Sequence, residues 1–260
     1  MSRVAKRGLL VGVAMLVLLL VGRSAAEPHQ SGNLIVSLQG GIAPRALPRA
    51  HPAPVAVRLQ AGIRTANRVP VPRVSGIRLE LAWRGALDTR GLPICPRWRL
   101  HTVNSREALA ACGPALVGRG RLYDRVFIPG QAPFGLHAQL LVFNGTTARG
   151  RPAVWVHAYT TNPPVSFVLP FHIRRQSGPF PTALVSVVPH SVGPWPRFAH
   201  FQVVVGRHFS YKGRTHSYIS ASCPVPPRFT EAPLSFARAT FNLAEGHRVW
   251  AEAVRSCKAG

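Results

Sequence analysis

The stretch Gly76-Ile77-Arg78-Leu79-Glu80-Leu81-Ala82-Trp83 decides the fold class. Apolar residues at 77, 79 and 81 alternate with the charges of Arg78 and Glu80. Successive side chains of an extended chain point to opposite faces, so this pattern makes one dry face and one wet face. A helix would scatter the same residues around its axis. Val55-Ala56-Val57-Arg58-Leu59 reads the same way. Both are half-buried strands of an antiparallel sheet.

Outward from these two, alternation and β-branched or aromatic content predict strands over residues 33–38, 55–60, 76–83, 118–128, 137–143, 153–160, 165–173, 183–188, 198–205, 215–221, 234–243 and 248–254. The 23 glycines and 25 prolines punctuate the chain as turns do between short strands. Proline clusters at 43–54, 69–73 and 224–233 read as loops or sheet edges. One short helix is expected. Asn104 stands three residues before Glu107, a capping-box pattern, and Gly113-Pro114 supplies the stop. No segment of a dozen residues keeps a helical period through the prolines. The expectation is an all-β, mainly antiparallel fold, a β-sandwich or distorted barrel with one short helix and Gly/Pro-rich loops, as a single domain over residues 27–260.

The N-terminus bears on compartment. Arg3, Lys6 and Arg7 precede an uncharged run over residues 8–22, followed by Arg23-Ser24-Ala25-Ala26. A basic start, a short apolar stretch and small residues at 24 and 26 read as a secretory signal peptide over residues 1–26, cleaved near Ala26. The alternative is an uncleaved N-terminal membrane anchor, although the apolar run falls short of the roughly 20 residues that span a bilayer. Either way the folded part is expected to be secreted or extracytoplasmic.

Cys95, Cys112, Cys223 and Cys257 are even in number, and in an exported chain disulfides are the default. Four cysteines allow three pairings. Cys95–Cys112 and Cys223–Cys257 are favoured because each joins sequence neighbours flanked by compact segments. No cysteine or histidine pair has zinc-site spacing, and paired cysteines are not nucleophiles.

Thirty-two Lys+Arg face 8 Asp+Glu, and only Lys6, Lys212 and Lys258 are lysine. Without the leader, 28 cations against 8 acids leave a formal charge of +20. A field of that size attracts anionic polymers and membrane surfaces. Arginine-rich composition also follows from GC-rich codons, with no functional demand. The arginines are spread out, the densest groups being Arg97-Trp98-Arg99 and Arg174-Arg175, and aromatic residues do not interleave with them. Export argues against nucleic acid as the partner. An anionic cell-envelope polymer or lipid headgroups, met through arginines, fit better.

Several blocks occur in a familiar order: residues 87–95 (LDTRGLPIC), 115–120 (ALVGRG), 143–145 (FNG), 166–171 (SFVLPF) and 222–224 (SCP). Together with the leader they resemble a group of uncharacterised, signal-peptide-bearing secreted proteins of high-GC actinobacteria. The resemblance spans most of the chain after the leader. It implies bacterial export and brings no catalytic residues.

No motif of serine hydrolases, zinc peptidases or phosphate-binding loops is present. No cofactor is implied. Asp88 and Asp124 are expected to pair with the adjacent Arg90 and Arg125 rather than to act as a catalytic pair. His137, His157, His172, His200, His208 and His216 are scattered; His157 and His172 lie in predicted strands that bring them within reach of each other. Asn144-Gly145-Thr146 fits a glycosylation pattern, but Asn-Gly is also a strong hairpin turn, and the turn is the reading adopted. The expected function is non-enzymatic, a binding or structural protein of the cell envelope with a basic surface. The alternative is a secreted hydrolase whose site is assembled from distant residues.

Overall fold

A computed structural model describes residues 28–82, 85–101 and 103–260. The leader and anchor readings over residues 1–26, and the end of the predicted strand at Trp83, lie outside them. Eleven strands form the body: β1 (Leu34–Ala43), β2 (Ala56–Thr65), β3 (Val74–Leu81), β4 (Leu116–Val126), β5 (Phe134–Thr146), β6 (Pro152–Thr161), β7 (Pro164–Arg175), β8 (Thr182–Val187), β9 (Pro196–Val205), β10 (Glu231–Leu243) and β11 (Arg248–Ala259). They pair in the order β1-β2-β9-β4-β5-β6-β7-β8-β3-β10-β11. Every neighbouring pair is antiparallel. The fold is all-β and antiparallel-dominated, as the alternation predicts. A parallel pairing occurs between Ala46–Leu47 and the end of β11.

Sheet twist curls the eleven strands until β11 lies against β1, so the architecture is the distorted barrel rather than the sandwich. With eleven strands, each antiparallel to its neighbours, β1 and β11 run in the same sense. Among the described residues no ladder joins them. The seam is held by side chains: Arg255 Nε donates to the Gly40 carbonyl at 2.8 Å, and His29 stacks on Trp250 at 4.5 Å. Gly40 is required there, because a Cβ would come within 2.3 Å of the Phe236 ring.

The inward half of the opening stretch is as read, but Glu80 on its outer face is buried rather than wet. Ile77, Leu79 and Leu81 face the interior of the barrel. On the other face Arg78 Nε meets Glu80 Oε1 at 3.1 Å, and Gln176 Nε2 donates to the same oxygen at 2.8 Å. Arg238 Nε binds Glu252 at 2.8 Å, and its guanidinium lies over the Phe180 and Trp250 rings.

Strand β5 over residues 140–145 and β6 over residues 153–158 are dry on both sides. Leu140, Val142, Val154 and Val156 face the interior, while Leu141, Phe143, Ala153 and Trp155 face a second apolar cluster outside the barrel. That cluster is roofed by helix α1 (Ser105–Cys112). The capping box is formed: Asn104 Oδ1 accepts from the Arg106 and Glu107 amides at 2.9 and 3.0 Å, and Glu107 Oε2 accepts from the Asn104 amide at 2.8 Å. Two turns of helix do not hold alone. Here Cys95–Cys112 pins the helix, and Trp155 Nε1 donates to the Cys95 carbonyl at 3.0 Å. Asn104→Ala should therefore lower stability by about 1 kcal/mol, read as a shift of the urea midpoint with an unchanged slope.

Both favoured disulfides are present, Cys95–Cys112 and Cys223–Cys257. They are the cross-links of a protein matured in an oxidising, extracytoplasmic compartment. Among the described residues no helix is long and apolar enough to cross a membrane.

The Asn144-Gly145 turn is overturned. Both residues stay in the ladder, opposite Val154 and Ala153, and the hairpin turns at 147–150, where the Gly150 amide donates to the Thr147 carbonyl at 2.9 Å. Asn144 is buried, its amide donating to the Pro93 carbonyl, so the glycosylation pattern is closed as well. A Cβ at Gly145 would lie 2.1 Å from Trp155 Nε1, so glycine serves close packing here rather than a turn. The predicted strand over 215–221 is also split. Tyr218 leaves the ladder between Arg214–Ser217 and Ile219–Ala221, which join different small sheets.

Candidate functional site

Two places on the barrel carry chemistry. The first is the outer face of β2, β9, β4 and β5. The register sets Arg58 opposite Val204, and Val204 opposite Arg119. Arg121 follows two residues on, opposite Gln202, which in turn faces Gln60. Ladder spacing therefore places Arg119 roughly 7 Å from Arg121 and roughly 10 Å from Arg58, with Arg58 and Arg121 roughly 12 Å apart. All three arginines are exposed, and none makes a side-chain hydrogen bond or ion pair among the described residues. Tyr123 extends the face, with the rings of His137 and His200 at 4.7 and 5.3 Å. The one acid within these four strands, Asp124, points the other way. The densest local groups, Arg97-Trp98-Arg99 and Arg174-Arg175, are not part of this face. Period-2 alternation in β2 and β4 puts these arginines outward, but their meeting depends on pairing between strands far apart in sequence.

The second place is the lumen. It is a cavity of about 280 Å³ walled mainly by aliphatic and phenyl side chains. Arg73, Ser75, Asp124, His190 and Tyr218 stand among the lining, and of these Asp124 and Tyr218 are buried. Asp124 alternates with Leu122 and Val126 and so faces inward, while Arg125 faces out over the Phe127 ring. The expected Asp124–Arg125 pair is thus corrected: adjacent strand residues sit on opposite faces. A bulge between Phe198 and His200 takes Ala199 out of the ladder, and its amide donates to the Asp124 carboxyl. Oδ1 has no partner. Burial, only partly offset by that amide, pushes the Asp124 carboxyl up to about 7. At the end of the lumen where β2 begins, burial raises the Tyr218 phenol, whose hydroxyl also has no partner.

Asp88 does pair with Arg90, Oδ1 to Nε at 3.1 Å, and its second oxygen meets His216 Nδ1 at 3.1 Å. The Arg90 guanidinium, helped by His216, draws the Asp88 carboxyl down to about 2. This is the acid–imidazole half of a hydrolytic triad. Among the described residues no serine or threonine hydroxyl hydrogen-bonds His216, so the pair lacks a nucleophile in reach. His157 and His172 do not meet. His157 lies opposite Val168 and His172 opposite Ala153, four residues along, and His157 Nε2 bonds the Val103 carbonyl at 2.9 Å under the α1 roof. Burial holds the His157 imidazole below its ordinary range. No family model, curated protein or solved structure matches the chain.

Proposed function

We propose that this is an exported, non-enzymatic binding protein of the cell envelope, held to anionic polymer by the arginine face of its barrel. The observation that carries the reading is the set Arg58, Arg119 and Arg121, exposed on a rigid ladder without a carboxylate partner. Elsewhere the acids are already answered: Glu80 and Glu252 by Arg78 and Arg238, and Asp88 by Arg90. Guanidinium groups bind phosphate, sulfate and carboxylate through paired N–H donors. Spacing of roughly 7–12 Å lets one extended polyanion meet all three. The hydrolase reading would need a nucleophile beside the Asp88–His216 pair.

The test is retention on a sulfated or teichoic-acid-like matrix across a salt series. Each anionic contact contributes about one to the slope of log K against log salt. Arg58→Gln/Arg119→Gln/Arg121→Gln should lower that slope by about 3. Arg149→Gln/Arg174→Gln/Arg214→Gln removes the same charge at exposed positions off the face and should leave most of it. Equal losses in the two variants would reduce the attraction to net charge and sink the assignment of a face.

A further inference from the structure

We propose that the lumen is a binding site for a single-chain aliphatic alcohol of about ten carbons, with its hydroxyl seated on Asp124. Size is the first argument. An apolar cavity of about 150 Å³ accommodates a six-carbon ring, so about 280 Å³ takes about eleven heavy atoms. The wall is the second. Leu122, Leu140, Val156, Leu169 and Phe198 line the cavity. The lining offers an alkyl chain dispersion contacts and asks for no polar group along its length.

The head group follows from Asp124. Its side chain is 6% exposed, turned into the cavity, and Oδ1 has no partner. The Ala199 amide accounts for one hydrogen bond and leaves the site short of another. A hydroxyl fits this carboxyl in either protonation state: it donates to the carboxylate and accepts from the acid. A ligand carboxylate would be repelled by the charged form. An ammonium would have to shed its water beneath a strongly basic surface. The alcohol therefore has the one head that neither state of Asp124 rejects. Tyr218, at the far end, is a second unpartnered donor and supplies the internal control.

The experiment is calorimetric titration at pH 8 of the full protein with 1-decanol and with 1-methoxynonane, which has the same number of heavy atoms and no donor. Wild type should prefer the alcohol about tenfold, the worth of one hydrogen bond to a charged acceptor. Asp124→Leu should keep its affinity for the ether and bring the ratio to about one. Tyr218→Phe should leave the ratio intact. Near-ultraviolet circular dichroism checks that the variants keep their packing, and Asp124→Val, which also lacks any hydrogen-bonding group, repeats the measurement if the leucine variant does not fold. The proposal is overturned if wild type binds neither probe or prefers neither. It is also overturned if the preference survives Asp124→Leu, or is lost in Tyr218→Phe instead.

Discussion

Between pH 4 and pH 8 the wild-type protein is expected to lose several kcal/mol of folding stability relative to Asp124→Leu. Burial lifts the Asp124 carboxyl from 3.8 to about 7 in the folded state. A folded group that holds its proton more tightly than the unfolded one stabilises the fold fully below the unfolded value. That contribution is lost as pH rises through the folded value. The window therefore opens near pH 4, closes just above pH 7, and the curve is flat beyond. The interval corresponds to about 4 kcal/mol as a ceiling, since relaxation and water reaching the lumen reduce it. Asp88 acts with the opposite sign, but its window lies between about 2 and 3.8, below this one. Histidines shed charge over the same range in both proteins, so the difference between the two curves isolates Asp124. Urea unfolding at half-unit intervals supplies the curves. If they run parallel, Asp124 is not held in a dry lumen.

The second large effect concerns the end of the barrel. Cys223–Cys257 ties the segment after Tyr218 to β11, with Cα atoms 5.8 Å apart. The Cys223 amide donates to the Pro48 carbonyl at 2.9 Å, and the Val55 amide to that of Ile219 at 3.0 Å. The segment is thus plugged into the barrel end by one covalent link and a few hydrogen bonds. Removing the link restores freedom to an unfolded loop with a sequence separation of 34, worth about 3–4 kcal/mol. Cys223→Ala/Cys257→Ala should lower stability by that amount by urea unfolding. Cys95→Ala/Cys112→Ala, closing a separation of 17, should cost somewhat less. A loss below about 1 kcal/mol in the first variant would mean that the segment is held by its packing alone.

Much of the architecture was legible because a strand writes its period into the chain. Ile77, Leu79 and Leu81 announce their face without any tertiary information. Closure was not legible, since barrel and sandwich differ only in how far a twisted sheet curls, and that depends on register summed over many strands. The same period also placed Asp124 inward with Leu122 and Val126. Adjacency to Arg125 suggested an ion pair that strand geometry forbids, and the periodic signal was the stronger one. The hairpin between β5 and β6 carried two turn signals, Asn144-Gly145 and the polar run ending at Gly150. Packing against Trp155 decided between them, which no local pattern records. The arginine face draws its members from two strands, joined through a third, that meet only after folding, so density along the chain pointed elsewhere.

Opposite the seam, β5 and β6 are walled by apolar contacts within and by the pinned helix without. A tube built this way is stiff along one flank and compliant along the other, like a split ring. Any swelling needed to admit a guest is taken up where β1 and β11 share side-chain contacts and no backbone ladder. The far wall of β5 and β6, under its helix, keeps its shape throughout.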